Sequence, residues 1–272
     1  MKRLIKVISI GLIMVILLSM SGCFLFSDGK TTVGDFVVKY RKPETKYPDG
    51  YYLLYELSKA GKKKKNIILP KEINGRPYLL RFNGGALIGD AGTNAVFAGK
   101  MEKVYIEYPG NYCEKRYKDE PACIWFTGDK YLKKVIVNIQ NIRFRKNNLG
   151  PQPILFCYNY SLRSFACNQD ENNNYIAKER LRLANIQFLY NYEEAPNEGY
   201  FWIDDIDNGE KMEVMPDTPE REGYTFEGWY NEKECINKFD FETVFNKPVL
   251  NEGDIYPEDY VTYVYAKWTQ NP

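Results

Sequence analysis

The sequence contains no histidine and only six cysteines among its 272 residues. Catalytic sites of the Ser-His-Asp or Cys-His type are therefore excluded, because their general base is an imidazole. Structural zinc is excluded as well, because no closely spaced pair of Cys or His ligands occurs. Glycoside hydrolysis needs two carboxylates a few ångströms apart, and spacing marks out no pair among the 36 acidic residues. We predict no enzyme, no catalytic residue, no metal site and no cofactor.

The chain also has almost no net charge, +1 at neutral pH. The first 22 residues carry three basic and no acidic side chains, so their removal would leave a charge of −2. A nucleic-acid partner is not predicted, because such binding rests on an excess of basic residues that displaces counterions. The one dense basic cluster, residues 62–65, lies between two apolar segments and indicates a solvated turn. Binding of phosphate or lipid headgroups is the alternative.

The longest apolar run covers residues 7–18, after three basic residues and before the small-residue stretch Ser21-Gly22-Cys23. This order is typical of a secretory signal peptide, and the run is shorter than the roughly 20 residues of a spanning helix. The segment resembles the bacterial lipobox, with Met20 where Leu is usual. We predict cleavage after residue 22 and a lipid on Cys23, which anchors the protein to the extracellular face of the cell membrane. An uncleaved anchor that recruits residues 20–26 is the alternative.

If Cys23 carries the lipid, five cysteines remain, and at least one thiol must stay unpaired within the chain. Outside the membrane, local disulfides are chemically allowed between the equally spaced pairs. Small buried apolar side chains are the alternative. The residues concerned are Cys113, Cys123, Cys157, Cys167 and Cys235.

The abundance of tyrosine, with 23 copies, favours strands. Strand-like segments occur at residues 36–40, 51–57 and 66–70, and an Asn-Gly turn is expected within Ile73-Asn-Gly-Arg-Pro77. Residues 176–183 contain good helix formers and predict a short helix.

A weak internal repeat aligns Met101-Glu-Lys-Val104, Leu132-Lys-Lys-Val135 and Leu162-Arg-Ser-Phe165. Repetition at a period of about 30 residues indicates stacked units that share one core. Together with Leu69-Pro70, these segments resemble the BspA-like leucine-rich repeats of bacterial surface proteins, over about residues 50–190. The resemblance implies an irregular solenoid.

The C-terminal segment carries a second set of motifs, spread over residues 185–268. They are Asn208-Gly209, Pro216-Asp-Thr-Pro219, Arg221-Glu-Gly-Tyr-Thr-Phe-Glu-Gly-Trp-Tyr230 and Val264-Tyr-Ala-Lys-Trp268. Alternation of apolar side chains in the last two indicates strands, and two Trp side chains could close a small core. This order of motifs resembles the internalin B-repeat, or Listeria–Bacteroides repeat. The resemblance implies a β-grasp-like unit of surface proteins without catalytic residues.

Two further sets of residues are candidate sites. The acidic stretch 204–210 fails the EF-hand pattern, because position 5 counted from Asp205 is already Gly209, and a tight hairpin around Asn208-Gly209 explains it. Exposed aromatic side chains could stack on sugars or fill partner pockets, although strand aromatics more often belong to the core. The candidates are Tyr105, Tyr108, Tyr112 and Trp125.

The sequence thus predicts a mainly β fold, an irregular β-rich leucine-rich-repeat-like solenoid followed by a small β-grasp-like domain. The predicted boundaries are 1–22 for the signal peptide, 23–49 for the tether and first strand, 50–184 for the repeats and 185–272 for the B-repeat. The predicted function is non-covalent recognition or adhesion at the cell surface, with the membrane and a protein or glycan as partners. A solute-binding or accessory lipoprotein and a passive stalk are the alternatives.

Overall fold

The structure is a computed structural model and describes residues 29–80, 86–89, 97–107, 123–126, 131–138, 143–146, 154–157, 181–246 and 260–272. The predicted signal peptide and Cys23 lie outside these residues. The chain divides into two compact units, Met1–Thr31 and Thr32–Pro272, and the following paragraphs concern the second unit.

The described residues form strands and short 3-10 turns, and none of them lies in an α-helix. The strands are β1 (Lys30–Val33), β2 (Phe36–Arg41), β3 (Tyr51–Leu57), β4 (Asn66–Leu69), β5 (Tyr78–Leu80), β6 (Ala86–Gly89), β7 (Phe97–Ala98), β8 (Lys103–Ile106), β9 (Cys123–Phe126), β10 (Lys134–Val137), β11 (Arg143–Lys146), β12 (Ile154–Cys157), β13 (Leu181–Leu183), β14 (Ile186–Leu189), β15 (Tyr200–Asp204), β16 (Tyr224–Tyr230) and β17 (Thr262–Gln270).

The N-terminal sheet contains the antiparallel pair β2 and β3, with β5 added parallel to β3. In β2 the alternate residues Phe36 and Val38 are buried, whereas in β3 the consecutive residues Leu53 and Leu54 are both buried and belong to two separate clusters. The predicted Asn-Gly turn is confirmed. Asn74 and Gly75 both have positive φ angles, and the flanking Ile73 and Arg76 exchange two backbone hydrogen bonds. Such paired positive φ angles are the reason that Asn-Gly dominates two-residue turns.

Two parallel sheets make up the middle of the chain. One has the strand order β13-β12-β10-β8-β4 and the other β11-β9-β6-β7. From β8 to β12 the chain passes from one sheet to the other with every strand. Parallel neighbours need such long crossovers, because a tight turn can only join antiparallel strands.

The register of the first sheet confirms part of the predicted repeat. Lys103 pairs with Lys134 and Val104 with Val135, as the alignment of the first two segments requires. The next partner of β10 is β12, which begins 20 residues after β10, so the spacing is not constant. The third aligned segment, residues 162–165, lies outside the described residues.

The first parallel sheet is buried on both faces. Three consecutive residues are buried in each of β8, β10 and β12. One row, which includes Val104 and Val135, is buried in the core, and the opposite row includes Tyr105, Ile136 and Phe156. Because successive side chains point to opposite faces, burial of both rows requires a second layer over the sheet.

The C-terminal sheet has the strand order β15-β14-β17-β16. Its central strands β14 and β17 are parallel, and each has an antiparallel partner at the edge. The predicted alternation in β17 is confirmed, because Val264 and Ala266 are fully buried. In β16 the register shifts between Phe226 and Gly228, and Gly228 adopts a φ of 129°, so this glycine accommodates a β-bulge.

Two local predictions are wrong. Of the predicted helix at residues 176–183, residues 181–183 form β13 instead, which pairs with β12, and this ladder overrides a weak helix propensity. Residues 176–180 lie outside the described residues. The Asn208-Gly209 segment is a turn, in which Glu210 donates its N–H to the carbonyl of Asp207, but it joins no hairpin. The chain after it pairs instead with Phe245, which exchanges backbone hydrogen bonds with Gly209 and Glu210.

Candidate functional site

The C-terminal sheet lies against the first parallel sheet through β15 and the residues that follow it. Trp202 stacks on Tyr105 with ring centroids 5.3 Å apart. The backbone N–H of Ile203 donates to Oδ1 of Asn138, 2.7 Å away, directly after β10. These contacts supply the second layer that the outward row of the parallel sheet requires, and they explain why Tyr105 is fully buried.

Two buried ion pairs hold the two sheets together at this junction. Nζ of Lys103 lies 3.0 Å from Oδ1 of Asp204, and Nζ of Lys134 lies 2.7 Å from Oδ2 of Asp205. Both aspartate side chains are fully buried, while the lysine side chains are 15% and 13% exposed. Lys103 and Lys134 are register partners in β8 and β10, so the repeat itself places two ammonium groups side by side.

Additional hydrogen bonds complete this cluster. The hydroxyl of Tyr105 donates to Oδ2 of Asp204 at 2.9 Å. The two ammonium groups also donate to the backbone carbonyl of Asp205, and Lys134 reaches Oδ1 of Asp207 at 2.7 Å. A buried pair with such supporting hydrogen bonds offsets more of its desolvation cost than an isolated pair does.

Burial and charge shift the pKa values in this cluster. Burial raises the pKa of Asp204 above its usual range, against the opposing effect of Lys103. Burial works against the ammonium group of Lys134, yet the carboxylates of Asp205 and Asp207 outweigh it and raise the lysine pKa. Burial and the adjacent Asp204 raise the pKa of the Tyr105 hydroxyl, which therefore stays a hydrogen-bond donor.

A polar groove of about 290 Å³ opens beside this cluster. The residues before and at the start of β4, β8 and β10 form one wall, and the segment after β15 forms the other. The lining residues are Lys65, Asn66, Glu102, Lys103, Lys133, Ile206, Asp207, Asn208, Glu210, Lys211 and Glu213. The lining carries ammonium, carboxylate and amide groups together, so the groove suits a polar ligand with several hydrogen-bonding groups.

Pairs of side chains bridge the groove lining. Nδ2 of Asn66 donates to Oε2 of Glu213 at 2.5 Å and so connects the two walls. Glu102 accepts from Lys133 and from Lys65, and both ammonium groups lower the pKa of its carboxyl. The two lysines and Glu213 are exposed, and Asn66 and Glu102 are partly exposed, so these groups could exchange their partners for those of a ligand at little cost.

The structure places the candidate side chains of the sequence in different settings. Tyr105 belongs to the core rather than to a surface. Tyr108 and Tyr112 lie outside the described residues, and for Trp125 only the strand backbone is described. In the acidic stretch, Asp204 and Asp205 face lysines, and no group of acidic or Cys side chains in the described part of the chain could hold a metal ion.

The cysteines are described only in part. Cys157 is fully buried, and its thiol lies 3.3 Å from the carbonyl oxygen of Arg182. Cys235 is partly exposed with a positive φ of 54°, and burial raises the pKa of its thiol. Cys113 and Cys167 lie outside the described residues, so the disulfide prediction stays a prediction.

Aromatic side chains form the core of the C-terminal sheet. The ring of Phe188 lies 4.9 Å from that of Trp229, and further rings pack around this pair. Nε1 of Trp268 donates to the carbonyl of Tyr190 at 2.6 Å. Both tryptophans of the predicted motifs pack here, Trp229 buried and Trp268 at the margin, but the core is not a separate small one, because it continues into the core of the parallel sheet.

Comparison with known proteins agrees with three of the four C-terminal motifs, whereas Val264-Tyr-Ala-Lys-Trp268 lies beyond the matched residues. Residues 189–251 match the family model of the Listeria-Bacteroides repeat domain, which is found in surface proteins. No curated protein and no solved structure matches the chain. Within the described ranges, no helix is long and apolar enough to cross a membrane.

Sequence reasoning missed the Lys–Asp cluster. The aligned segments already showed Lys103 and Lys134 at equivalent positions, which was the available signal. Their partners lie 71 to 101 residues further along the chain, and no local pattern connects them.

Proposed function

We propose that the chain is a lipid-anchored protein of the extracellular face that recognises a host, matrix or cell-wall component non-covalently. The observation that carries this proposal is the Listeria–Bacteroides repeat at residues 189–251, a unit of surface proteins. The lipobox-like Ser21-Gly22-Cys23 supplies the anchor in this proposal, with the lipid on Cys23. The protein acts without catalytic residues, cofactor or nucleic acid.

The proposed architecture refines the mainly β fold. The alternation of strands between two parallel sheets supports a degenerate BspA-like solenoid, since each coil of a solenoid contributes to both sheets. The C-terminal sheet, with its parallel central pair and antiparallel edges, supports a β-grasp-like unit.

The groove is the proposed recognition site. A solenoid would ordinarily offer its outer sheet face, but here Trp202 and its neighbours cover the row of Tyr105 and Ile136. The groove beside them stays open and is lined by residues of both modules. Its mixture of amide, ammonium and carboxylate groups favours a hydroxyl-rich or zwitterionic ligand, such as a glycan or a hydrophilic peptide segment.

A passive stalk is the second candidate, and the buried ion pairs favour it. They fix the C-terminal repeat on the parallel sheet, which is what a spacer of defined length requires. A solute receptor fits less well, because the volume of about 290 Å³ lies at the lower end of small-molecule sites.

The test is a binding screen with the full chain on vesicles against cell-wall fragments, matrix proteins and a glycan panel. Saturable capture that urea-unfolded chain does not show is the expected result. If the folded chain captures no more than the unfolded chain does, the recognition proposal is refuted and the stalk takes its place.

A further inference from the structure

The charged residues of the groove are divided by sign between its two walls. The wall at the start of β4, β8 and β10 carries three lysines and one glutamate, a charge of +2: Lys65, Lys103, Lys133 and Glu102. The opposite wall, after β15, carries three acidic residues and one lysine, a charge of −2: Asp207, Glu210, Glu213 and Lys211. The lining as a whole is therefore neutral, but the two walls carry opposite charges.

Pairing within the protein removes some of these charges from the groove. Lys103 and Asp207 both belong to the buried cluster and find their partners there. Lys211 pairs with Glu242 at 2.7 Å. Two lysines and three glutamates of the lining remain to face the open space.

The remaining groups leave an excess of opposite sign on each wall. Lys65 and Lys133 share the single carboxylate of Glu102, at 3.2 Å and 3.0 Å, so one positive charge stays uncompensated there. In the described part of the chain, no lysine or arginine pairs with Glu210 or Glu213. The opposite charges thus face each other across the groove and do not neutralise each other.

Backbone hydrogen bonds fix both walls. The carbonyl of Lys65 accepts from the N–H of Glu102 at 2.7 Å, and the carbonyl of Glu102 accepts from the N–H of Lys133 at 2.9 Å. On the other wall, the carbonyl of Glu210 accepts from the N–H of Phe245 at 2.9 Å. The charged side chains therefore extend from fixed backbone positions, which reduces the entropy cost of binding a ligand between them.

The lining also restricts the kind of cation that the groove can hold. None of its eleven described residues is aromatic. A quaternary ammonium group such as choline is normally held by an aromatic cage. A primary ammonium group instead donates hydrogen bonds to carboxylates, and Glu210 and Glu213 offer such acceptors. The groove therefore favours the ammonium of a lysine side chain or of a peptide N-terminus.

We infer that the groove binds a zwitterionic peptide segment, one that carries a primary ammonium and a carboxylate. The carboxylate lies against Lys65 and Lys133, and the ammonium lies against Glu210 and Glu213. One of the two walls would repel a ligand of a single charge, and a neutral sugar would compensate neither wall. The inference rests on the proposed function, and it selects a peptide rather than a glycan as the ligand.

Binding of four short peptides to the full chain tests this inference. Their termini are blocked, so that only the side chains carry charge, and their sequences are Lys-Ser-Glu, Lys-Ser-Lys, Glu-Ser-Glu and Gln-Ser-Gln. NMR titration measures the four affinities. We expect Lys-Ser-Glu to bind about tenfold more tightly than each of the other three, because only this peptide pairs with both walls.

Reversal of one wall at a time provides a sharper test. Lys65→Glu with Lys133→Glu makes both walls negative, so the preferred peptide should change to Lys-Ser-Lys. Glu210→Lys with Glu213→Lys makes both walls positive, so the preferred peptide should change to Glu-Ser-Glu. All four changes together give walls of opposite sign again and should restore the preference for Lys-Ser-Glu.

A charge swap outside the groove is the matched control. Glu222→Lys with Lys233→Glu alters two exposed residues, keeps the net charge and should leave the preference unchanged. Urea unfolding shows whether each variant is folded. Should a wall variant fail to fold, the ranking of the four peptides on the unaltered chain decides.

The outcomes separate this inference from the proposed function. Binding of no peptide, or an equal affinity for all four, overturns the zwitterionic ligand. If the same chain still captures a glycan or a cell-wall fragment in the screen, recognition stands and only the peptide is refuted. Absence of both peptide binding and capture refutes both.

Discussion

Replacement of Lys134 by Met tests the buried junction most sharply. The ammonium group of Lys134 lies 2.7 Å from carboxylate oxygens of both Asp205 and Asp207, and Asp205 is fully buried. Lys134→Met removes the ammonium group and leaves the Asp205 carboxylate buried without this counter-ion and without access to water. Breaking one side of a buried pair costs about 3–5 kcal/mol, so we expect a loss of that size in the free energy of unfolding.

The neighbouring Lys133 offers a matched control. Its side chain is 69% exposed and pairs with Glu102 at the surface. Lys133→Met should therefore change the free energy of unfolding by no more than about 1 kcal/mol. Both variants remove one lysine from adjacent positions of the same segment, so only burial of the ion pair distinguishes them.

Urea unfolding followed by tryptophan fluorescence measures both variants. The midpoint of Lys134→Met should fall well below that of Lys133→Met. Adding Asp205→Asn to Lys134→Met should recover part of the loss, because it removes the carboxylate that lost its partner. If the two lysine variants unfold within about 1 kcal/mol of each other, the assignment of the junction to buried ion pairs is refuted.

Three further predictions concern the core and the pH dependence. Phe188→Ala should lower the free energy of unfolding by about 3–5 kcal/mol in the same urea assay, because a fully buried ring leaves a cavity. Asn138→Ala should cost about 1–3 kcal/mol, because the N–H of Ile203 loses its acceptor; an unchanged midpoint would contradict that role. Burial and Asp217 raise the pKa of Glu107 to about 7, against the effect of Lys71, so its deprotonation costs folding stability as pH rises from about 4.5 to 7. Glu107→Gln should therefore stabilise the protein at pH 8 by up to about 3 kcal/mol and have no such effect at pH 4, as urea melts at the two pH values will show.

Local patterns predicted the local structure well. The strand predicted at residues 51–57 matches the bounds of β3, and Asn74-Gly75 forms the turn that its composition requires. The equivalence of Lys103 and Lys134 also followed from the sequence, since repeated units place equivalent side chains in register.

The tertiary layer was not predictable from the same patterns. The row that contains Tyr105 and Ile136 has the composition of an ordinary strand face. No local sequence pattern indicates that Trp202 covers it. The acidic stretch that contains Asp204 and Asp205 indicates only a turn, because the lysine partners of both residues are far away in the chain. Long-range pairing of charges depends on how the two modules meet, which propensity and periodicity do not encode.

Binding by groove variants tests the central claim, that the junction groove recognises an extracellular ligand, most directly. With a ligand from the screen, the full chain is compared with Glu213→Lys in the groove and with Glu222→Lys on an exposed turn outside it. Reversal of a charge at a binding surface usually costs several kcal/mol when it opposes a like charge, so Glu213→Lys should weaken binding by roughly tenfold or more. Glu222→Lys should bind like the unaltered chain. Equal affinity of all three proteins would contradict recognition at the groove.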